Sequence, residues 1–189
     1  MNSIPNSLDS GPRGGAAAAI VLLLLTAVTT ATAGEQTASE YAVKAAIVYK
    51  IAKFVSWPED AFPADTDALS ICLPAADPIG PAMDALTGKT VQGRNIEIHR
   101  FEDTATIAND CAILFLSESV KLPRPSLVSD VAYSPVLTIG DSADFVDIGG
   151  IITLEIQNNR VQFAINVGAS ERAGLGISAQ LLQLATISN

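Results

Sequence analysis

The sequence predicts an α/β fold: a single domain with a mostly parallel central sheet, helices on both faces, and an antiparallel hairpin near the C-terminus. Short apolar runs bounded by Pro or Gly alternate with helical patterns, as in parallel sheets covered by helices. Two strand-like runs, 151–157 and 160–166, flank Asn158-Asn159, a pair that tolerates the positive φ of a two-residue turn. No internal repeat occurs, and the chain of 189 residues suits one core.

The N-terminal segment has the pattern of an export signal. An uncharged apolar run extends from Ala16 to Val28 behind Arg13, and Ala31-Thr32-Ala33 supplies the small residues that signal peptidase prefers. The run is shorter than the roughly 20 apolar residues of a spanning helix. We therefore expect residues 1–33 to be a cleaved signal peptide and residues 34–189 to form the exported domain. The alternative is an uncut N-terminal anchor.

The exported domain is predicted to begin with a helix. Thr37 and Glu40 have the spacing of a capping box. Pro58 disfavours a helical conformation at Trp57, so we expect the helix to end near Ser56. Apolar residues at helical spacing predict its buried stripe, and lysines fill the solvent-facing gaps. The stripe is Val43, Ile47, Ile51 and Phe54, widened by Val48, Ala52 and Val55, and the lysines are Lys44, Lys50 and Lys53.

The strands of the sheet are predicted from two patterns. Continuous apolar runs at 69–73, 111–116 and 136–139 indicate strands that are buried on both faces. The segment 95–100 instead alternates, with Ile96 and Ile98 on one face and polar residues on the other, which indicates a strand with one solvated face.

The later helices are shorter and less regular. Asp77-Pro78 predicts a helix start with Asp77 as N-cap, a helix continuing to about Leu86, and Gly88 as the left-handed residue after its end. Helical patterns also occur at 104–109, from Ser126 onward, at 169–173 and at 179–185, and a short helical turn is expected at 141–146. The apolar leucines of 179–185 predict a buried helix.

The chain has two cysteines, Cys72 and Cys111, and both lie in apolar strand-like runs. An even number of cysteines in an oxidising compartment favours a disulfide, and this one would close a loop of about 40 residues. Two buried free thiols are the alternative. No C-x-x-C motif occurs, so redox catalysis of the thioredoxin type is not indicated.

Composition and motifs argue against several functions. A net charge of −9 without a basic stripe makes nucleic acid a poor partner. His99 is the single histidine, and no nucleophile or carboxylate beside it is evident, so a half-exposed strand histidine is the preferred interpretation. One histidine and two cysteines do not make a zinc site, and Gly149-Gly150 precedes a strand rather than a helix, unlike a phosphate-binding loop. No catalytic residue, cofactor or metal site is predicted.

Two places remain as candidate binding sites. In open α/β sheets, ligands bind beyond the carboxyl ends of the strands, where Asp77-Pro78 and Ser117-Glu118 could line a polar pocket; turn and capping roles explain the same residues. The first helix carries aromatic residues interleaved with lysines on an acidic protein, which is the composition of an interface hot spot as well as of a core edge. Lys50, Lys53 and Trp57 at its end are the predicted partner-binding residues.

The sequence resembles the YfiR family of small periplasmic proteins. The similarity runs from Tyr41 to Ala185 and rests on five blocks in order: YAVKAAIVYKIAKFVSWPEDAF, ICLPAADPIGPAMDALTGKTVQG, CAILFLSES, VLTIGDSADFVDIGGIITLEIQNNRVQFAIN and INVGASERAGLGISAQLLQLA. Cys72 and Cys111 fall in matching blocks, which implies that they pair. A further cysteine pair of some relatives, near ADFVDIGG, is missing here.

What the resemblance implies is a periplasmic regulator, often dimeric, that binds the periplasmic sensory domain of an inner-membrane diguanylate cyclase and holds it inactive. Loss of that contact would raise cytoplasmic cyclic di-GMP and promote biofilm formation. A small-molecule sensor that uses the sheet-edge pocket to serve another membrane receptor is the second hypothesis, and an enzyme is the third. The expected localisation is the periplasm, with a homodimer and a membrane receptor as partners.

Overall fold

The computed structural model describes residues 33–62, 66–102, 107–157 and 160–188. The helices are α1 (Ala33–Ala52), α2 (Gly80–Asp84), α3 (Ile107–Asp110), α4 (Arg124–Asp130), α5 (Val167–Arg172) and α6 (Ala179–Leu182). The strands are β1 (Val55–Ser56), β2 (Ala68–Pro74), β3 (Thr90–Val91), β4 (Arg94–Phe101), β5 (Ile113–Leu116), β6 (Leu137–Gly140), β7 (Ile152–Gln157), β8 (Arg160–Asn166), β9 (Gly176–Ile177) and β10 (Thr186–Ser188). Residues 1–32 of the expected signal peptide and the turn residues Asn158 and Asn159 lie outside the described residues.

Eight of the strands form one sheet in the order β10-β8-β7-β6-β5-β2-β4-β3. Its centre is parallel, because β6, β5, β2 and β4 run in one direction and β7 pairs parallel to β6. β7 and β8 form the predicted antiparallel hairpin, in register from Ile152↔Ile165 to Gln157↔Arg160. The mixed α/β, mostly parallel architecture is confirmed.

Helices cover both faces of the sheet because alternate side chains of the buried strands enter two separate apolar clusters. Ile71 and Leu73 of β2 pack in the cluster that contains the buried faces of α1, α2, α5 and α6. Cys72, between them, packs on the other face with residues of α3 and α4. Continuous apolar runs therefore appear in the sequence, since neither face of these strands is solvated.

The structure contains the expected disulfide. Cys72 in β2 and Cys111, just before β5, are bonded with their Cα atoms 5.7 Å apart, and no free cysteine remains. β2 pairs in parallel with β5 at Ile71↔Ile113 and Cys72↔Leu114, which brings the segment just before β5, with Cys111, close to Cys72. The bridge thus connects neighbouring strands that are distant in sequence.

The predicted boundaries of α1 are wrong at both ends. The backbone is already helical from Ala33, so Thr37 does not cap its start. At the other end the helix stops at Ala52 rather than near Ser56. The Gln92 side chain holds this boundary, because its Nε2 donates to the carbonyls of Ala52, the last helical residue, and of Val55 in β1. Val55 and Ser56 are then free to pair with β9.

The buried stripe of α1 lies on one side of the predicted one, because Val48, Ile51, Ala52 and Val55 are buried as predicted. Val43 and Phe54 are exposed, and the residues that pack on the sheet are Ala45, Val48, Ile51 and Ala52. Two alanines in the stripe let the helix axis approach the sheet closely. A consequence, described below, is that Lys44 turns inward.

The start and end of α2 differ from prediction as well. The Asp77 carboxylate accepts from the N–H of Ile79, a turn that uses the residues expected to open the helix, and α2 begins at Gly80 and ends at Asp84. Gly88 does have positive φ, but its N–H donates to Ile96 of β4, so it serves the strand pairing instead of capping α2.

Gly140 at the end of β6 and Gly150 just before β7 make room for one aromatic ring. Phe145 is fully buried, and a Cβ on Gly140 or on Gly150 would overlap its ring. The Gly149-Gly150 pair is thereby explained by packing and by the positive φ of Gly149.

The C-terminal helix is shorter and more exposed than predicted. α6 ends at Leu182, Leu181 is buried, and Leu184 is 75% exposed. The chain then forms β10 at the edge of the sheet, which no sequence pattern predicted.

Candidate functional site

Three neighbouring strands deliver polar residues to the carboxyl edge of the sheet. β2 is followed by Asp77, β5 by Ser117 and Glu118, and β6 by Asp141. The chain passes from β2 to β4 on one side of β2 and then to β5 on its other side, so the strand order reverses between β2 and β5. A crevice at such a reversal is where open α/β sheets bind ligands.

Lys44 of α1 reaches this edge as a buried cation. The residue is 7% exposed, and its Nζ lies 2.9 Å from Asp141 Oδ2 and 2.7 Å from Glu40 Oε1. The other oxygen of Asp141 accepts from the backbone N–H of Glu118 at 2.6 Å. Asp141 therefore joins α1, the loop after β5 and the loop after β6. The prediction that Lys44 faces solvent is wrong, because the buried side of α1 extends to the neighbouring Ala45.

The pKa of Lys44 follows from two opposed effects. Burial lowers the pKa, but the hydrogen bonds and charges of Glu40 and Asp141 outweigh it, and the net pKa lies above the ordinary 10.5. A raised lysine pKa stabilises the fold below the unfolded pKa, and that contribution is lost as the pH rises through the folded pKa. Lys44 is therefore a stabilising charge throughout the neutral range.

Asp77 is a buried carboxyl group, and burial disfavours its charged form. It is 3% exposed; Oδ1 accepts from the Ile79 N–H, and Oδ2 has no hydrogen-bond partner among the described residues. Burial raises the pKa of Asp77, while the amides of Ile79 and Ser117 pull it down and the charge of Asp141 pushes it up further. Perturbed carboxyl groups of this kind concentrate at functional sites.

A pocket of 320 Å³ opens over the Lys44–Asp141 pair. It contains Glu118, as the sequence predicted, whereas Asp77 and Ser117 are buried and do not line it. Pro78 is exposed and also lies outside the lining. Charged side chains on its wall are mostly acidic: Glu40, Glu118, Asp141 and Glu155 against Lys44.

The opposite end of α1 carries a different surface, which we call the basic end of α1 and define as Tyr49, Lys50, Lys53, Phe54 and Lys89. The Lys53 ammonium lies 4.3 Å from the centroid of the Tyr49 ring, and the Tyr49 hydroxyl donates to the Thr90 carbonyl beside Lys89. All three lysines are exposed and form no ion pair with a described residue. Phe54 is 37% exposed.

Trp57, the third predicted partner-binding residue, is half-buried. Its Nε1 donates to the carbonyl of Ala112 at 3.3 Å, and its ring packs against Phe62 with centroids 6.1 Å apart. The side chain therefore anchors the segment after α1 to the start of β5. Lys50 lies in the last turn of α1 and Lys53 directly follows the helix, with its backbone N–H donating to the Lys50 carbonyl; both side chains are exposed.

Comparison with protein families decides the assignment. The family model described as YfiR/HmsC-like matches residues 41–186, most of the chain. This chain belongs to the YfiR/HmsC-like family. The family is a regulatory, non-catalytic one that works in the periplasm.

A solved structure from Vibrio cholerae shares the fold at low identity. A protein described as a conserved domain protein from Vibrio cholerae has a TM-score of 0.53 and 12% identity, over 77% of this chain and 60% of that one. A second, described as an ABC domain in complex with L-tryptophan from Streptococcus pneumoniae, has a TM-score of 0.48 and 12% identity, over 68% of this chain and 57% of that one. This chain thus spans about 60% of the length of the Vibrio protein.

No group of three or more His, Cys, Asp or Glu side chains within 33–62, 66–102, 107–157 and 160–188 could hold a metal ion. His99 is exposed on β4 with its Nε2 3.4 Å from Glu97. In the same part of the chain, no helix is long and apolar enough to cross a membrane.

The buried residues at the carboxyl edge are what sequence reasoning missed. Lys44 and Glu40 have i,i+4 spacing, which reads as an ordinary surface pair. Asp141 follows a buried strand directly, in the way that Ser117 follows β5. That shared position after parallel strands was the available signal for Asp141; nothing in the local sequence marks Lys44 as its partner.

Proposed function

We propose that this chain is a periplasmic repressor that docks onto the periplasmic sensory domain of an inner-membrane diguanylate cyclase and holds the cyclase inactive. The YfiR/HmsC-like match over residues 41–186 carries the proposal. Binding acts by population shift: a repressor that binds the inactive receptor more tightly than the active one favours the inactive state by that difference in affinity. Its release raises cytoplasmic cyclic di-GMP and promotes biofilm formation.

The basic end of α1 supports a location for the docking surface. A chain of net charge −9 repels acidic partners over most of its surface, and three of its lysines concentrate here around exposed aromatic edges. Lys50 and Lys53 would meet acidic side chains of the receptor, which fixes orientation and accelerates association. Trp57 contributes from beneath by holding the segment after α1 in place.

Deletion of the gene is expected to raise cyclic di-GMP only in cells that contain the cognate cyclase, because the repressor has no effect without its receptor. Replacing Lys50 and Lys53 together by glutamate is expected to remove repression and to weaken binding to the purified sensory domain about 100-fold, since two attractions become repulsions. Cyclic di-GMP is quantified by mass spectrometry and affinity by titration calorimetry.

Lys121→Glu is the matched control, since Lys121 is exposed outside the basic end of α1 and should leave repression intact. The melting temperature should be unchanged in all lysine variants, whereas Trp57→Ala is expected to lower it. If deletion leaves cyclic di-GMP unchanged with the cyclase present, the repressor function is wrong. If deletion raises cyclic di-GMP but the double variant of Lys50 and Lys53 still represses normally, the docking surface lies elsewhere.

The pocket over the Lys44–Asp141 pair favours a second candidate function, a small-molecule sensor. The buried pair and the buried Asp77 lie at the edge of the sheet where ligands bind, and the pocket connects α1 to the loops after β5 and β6. A ligand there could change how α1 is held and thereby alter docking at the other end of the same helix.

A ligand present at 100 times its Kd is expected to stabilise the protein by about 2.7 kcal/mol. A panel of small polar metabolites is screened by thermal shift, and each hit is repeated on Glu118→Gln, which alters the pocket wall, and on Glu97→Gln, an exposed carboxylate outside this pocket. A true pocket ligand loses its effect only in the first variant. If no metabolite of the panel raises the melting temperature, the sensor hypothesis has no support and the repressor hypothesis stands.

A further inference from the structure

A second pocket lies near the amino ends of the parallel strands, away from the pocket over the Lys44–Asp141 pair, which we call the carboxyl-edge pocket. Its volume is 440 Å³, against 320 Å³ for the carboxyl-edge pocket, and small-molecule sites have volumes of about 300–1,000 Å³. We call it the amino-edge pocket. Residues of β2, β4 and α3 and of the segments before β2 and β5 line it, among them Phe62, Ser70, Glu97, His99, Asp110 and Ala112.

The pocket forms where one face of the sheet has no helix over it. Ser70 pairs with Glu97 and Cys72 with His99 in the register of β2 and β4, so these four side chains lie on the same face. The apolar cluster under α3 and α4 includes Cys72, but α3 has only four residues, and Glu97 and His99 remain exposed. The polar half of β4 therefore faces a concave surface instead of a packed helix.

Backbone groups at the base of the amino-edge pocket are already satisfied within the protein. The Ser70 hydroxyl donates to the Asp110 carbonyl at 2.5 Å and accepts from the Ala112 N–H at 3.1 Å. The polar groups left to contact a ligand are therefore side chains, and the charged ones decide which ligands fit.

The charged side chains of the described lining are acidic. Glu97 and Asp110 line the pocket together with His99, and no described lysine or arginine does. Asp110 forms no ion pair with a described residue, and the Glu97 carboxylate lies 3.4 Å from His99 Nε2. Arg94 stands outside the lining, where its guanidinium lies 3.9 Å from the centroid of the Phe62 ring and donates to a backbone carbonyl. This distribution attracts cations and repels anions.

We propose that the amino-edge pocket binds a small organic cation. Its ammonium or guanidinium group contacts the carboxylates of Glu97 and Asp110, because hydrogen bonds between ionised groups are stronger than neutral ones. Its short apolar body packs on the apolar part of the lining, which includes Phe62, Ala108 and Pro135. The site is separate from the carboxyl-edge pocket, and its existence does not depend on the repressor function.

Trp57, the single tryptophan of the chain, adjoins this pocket. Its Nε1 donates to the carbonyl of Ala112 and its ring packs against Phe62, and both of these residues line the pocket. Trp57 fluorescence should therefore report a bound ligand. The same contacts hold the segment after α1, so a ligand in the pocket touches residues that support the basic end of α1.

Three probes that share one ring and differ in charge test the proposal on the purified protein: benzylamine as the cation, benzyl alcohol as the neutral analogue and benzoate as the anion. Titration followed by Trp57 fluorescence should give benzylamine a Kd of about 1 mM and benzyl alcohol a Kd at least about tenfold higher, with no saturable binding of benzoate. Amide chemical shifts of Ser70 and Ala112 should change in the same titration and locate the probe.

Variants that remove charge but keep size separate this site from the carboxyl-edge pocket. Glu97→Gln and Asp110→Asn should each weaken benzylamine binding about fivefold and leave benzyl alcohol unchanged, as expected for exposed ion pairs. Glu118→Gln, in the wall of the carboxyl-edge pocket, is the matched control and should change neither Kd. Melting temperatures show that each variant is folded. The proposal is overturned if benzylamine and benzyl alcohol bind equally, if benzylamine does not bind at about ten times the expected Kd, if both charge-removing variants bind it like the wild type, or if Glu118→Gln weakens it as much as they do.

Discussion

Replacing Asp141 by alanine is expected to lower the free energy of unfolding by about 3 kcal/mol, because it leaves the buried Lys44 ammonium without its buried partner. The same change removes the acceptor of the Glu118 N–H, which is the 2.6 Å contact that holds the loop after β5. Urea unfolding followed by circular dichroism measures the loss. The size is expected to exceed that of a surface ion pair because both side chains of the Lys44–Asp141 pair are buried.

Glu40→Ala is the matched control, since Glu40 pairs with the same ammonium but its side chain is 40% exposed. Its loss should cost less than about 1 kcal/mol, as exposed pairs do. Asp141→Asn keeps an oxygen for the Glu118 N–H. Its loss of unfolding free energy should therefore lie between the losses of Asp141→Ala and Glu40→Ala. Combining Lys44→Met with Asp141→Ala should recover part of the loss, because no uncompensated charge is left. Equal small losses for Asp141→Ala and Glu40→Ala would contradict a structural role for the buried pair.

Replacing Cys72 by alanine is expected to cost about 4 kcal/mol, through the chain entropy that the bridge removes from the unfolded state over its separation of 39 residues. Cys72 also packs in the apolar cluster on the α3 and α4 face, so its lost sulfur adds a smaller packing cost. Thermal unfolding of the variant under native conditions should show a melting temperature lowered by more than ten degrees, roughly in line with a domain of this size.

Reduced wild-type protein supplies the comparison, because it has lost the bridge but keeps both sulfur atoms. Reduction should reproduce most of the loss seen in Cys72→Ala, and Cys111→Ala should match Cys72→Ala closely. Peptide mapping without reductant should find the two cysteine peptides linked. If the reduced wild type has the same melting temperature as the oxidised protein, the bridge adds nothing to stability.

Much of the architecture could be predicted from local patterns. The runs 69–73 and 111–116 are apolar without interruption because both faces of β2 and β5 are covered, and the sequence pattern records that burial directly. The β7–β8 hairpin could be predicted from two apolar runs separated by two turn residues. Each of these signals is contained within a short segment, so a sequence is sufficient to find it.

The sequence was not sufficient where burial depends on a distant surface. The apolar residues of α1 allow more than one buried stripe, and the sheet selects the one that contains Ala45 and Ala52 because small residues permit close approach. That choice of side buries Lys44, exposes Val43 and Phe54, and creates the pairing with Asp141, a residue 97 positions away.

The same reason applies to the short strands. β1 pairs with β9 and β10 with β8, over two and three residues respectively, too few for a periodic pattern. Composition and order of segments determined the fold class and the family likeness by themselves. Only the assembled sheet decided three features: the side of α1 that is buried, the identity of the buried ion pair and the open edge at β10. Each depends on contacts between segments that are distant in sequence, and no local sequence pattern indicates such contacts.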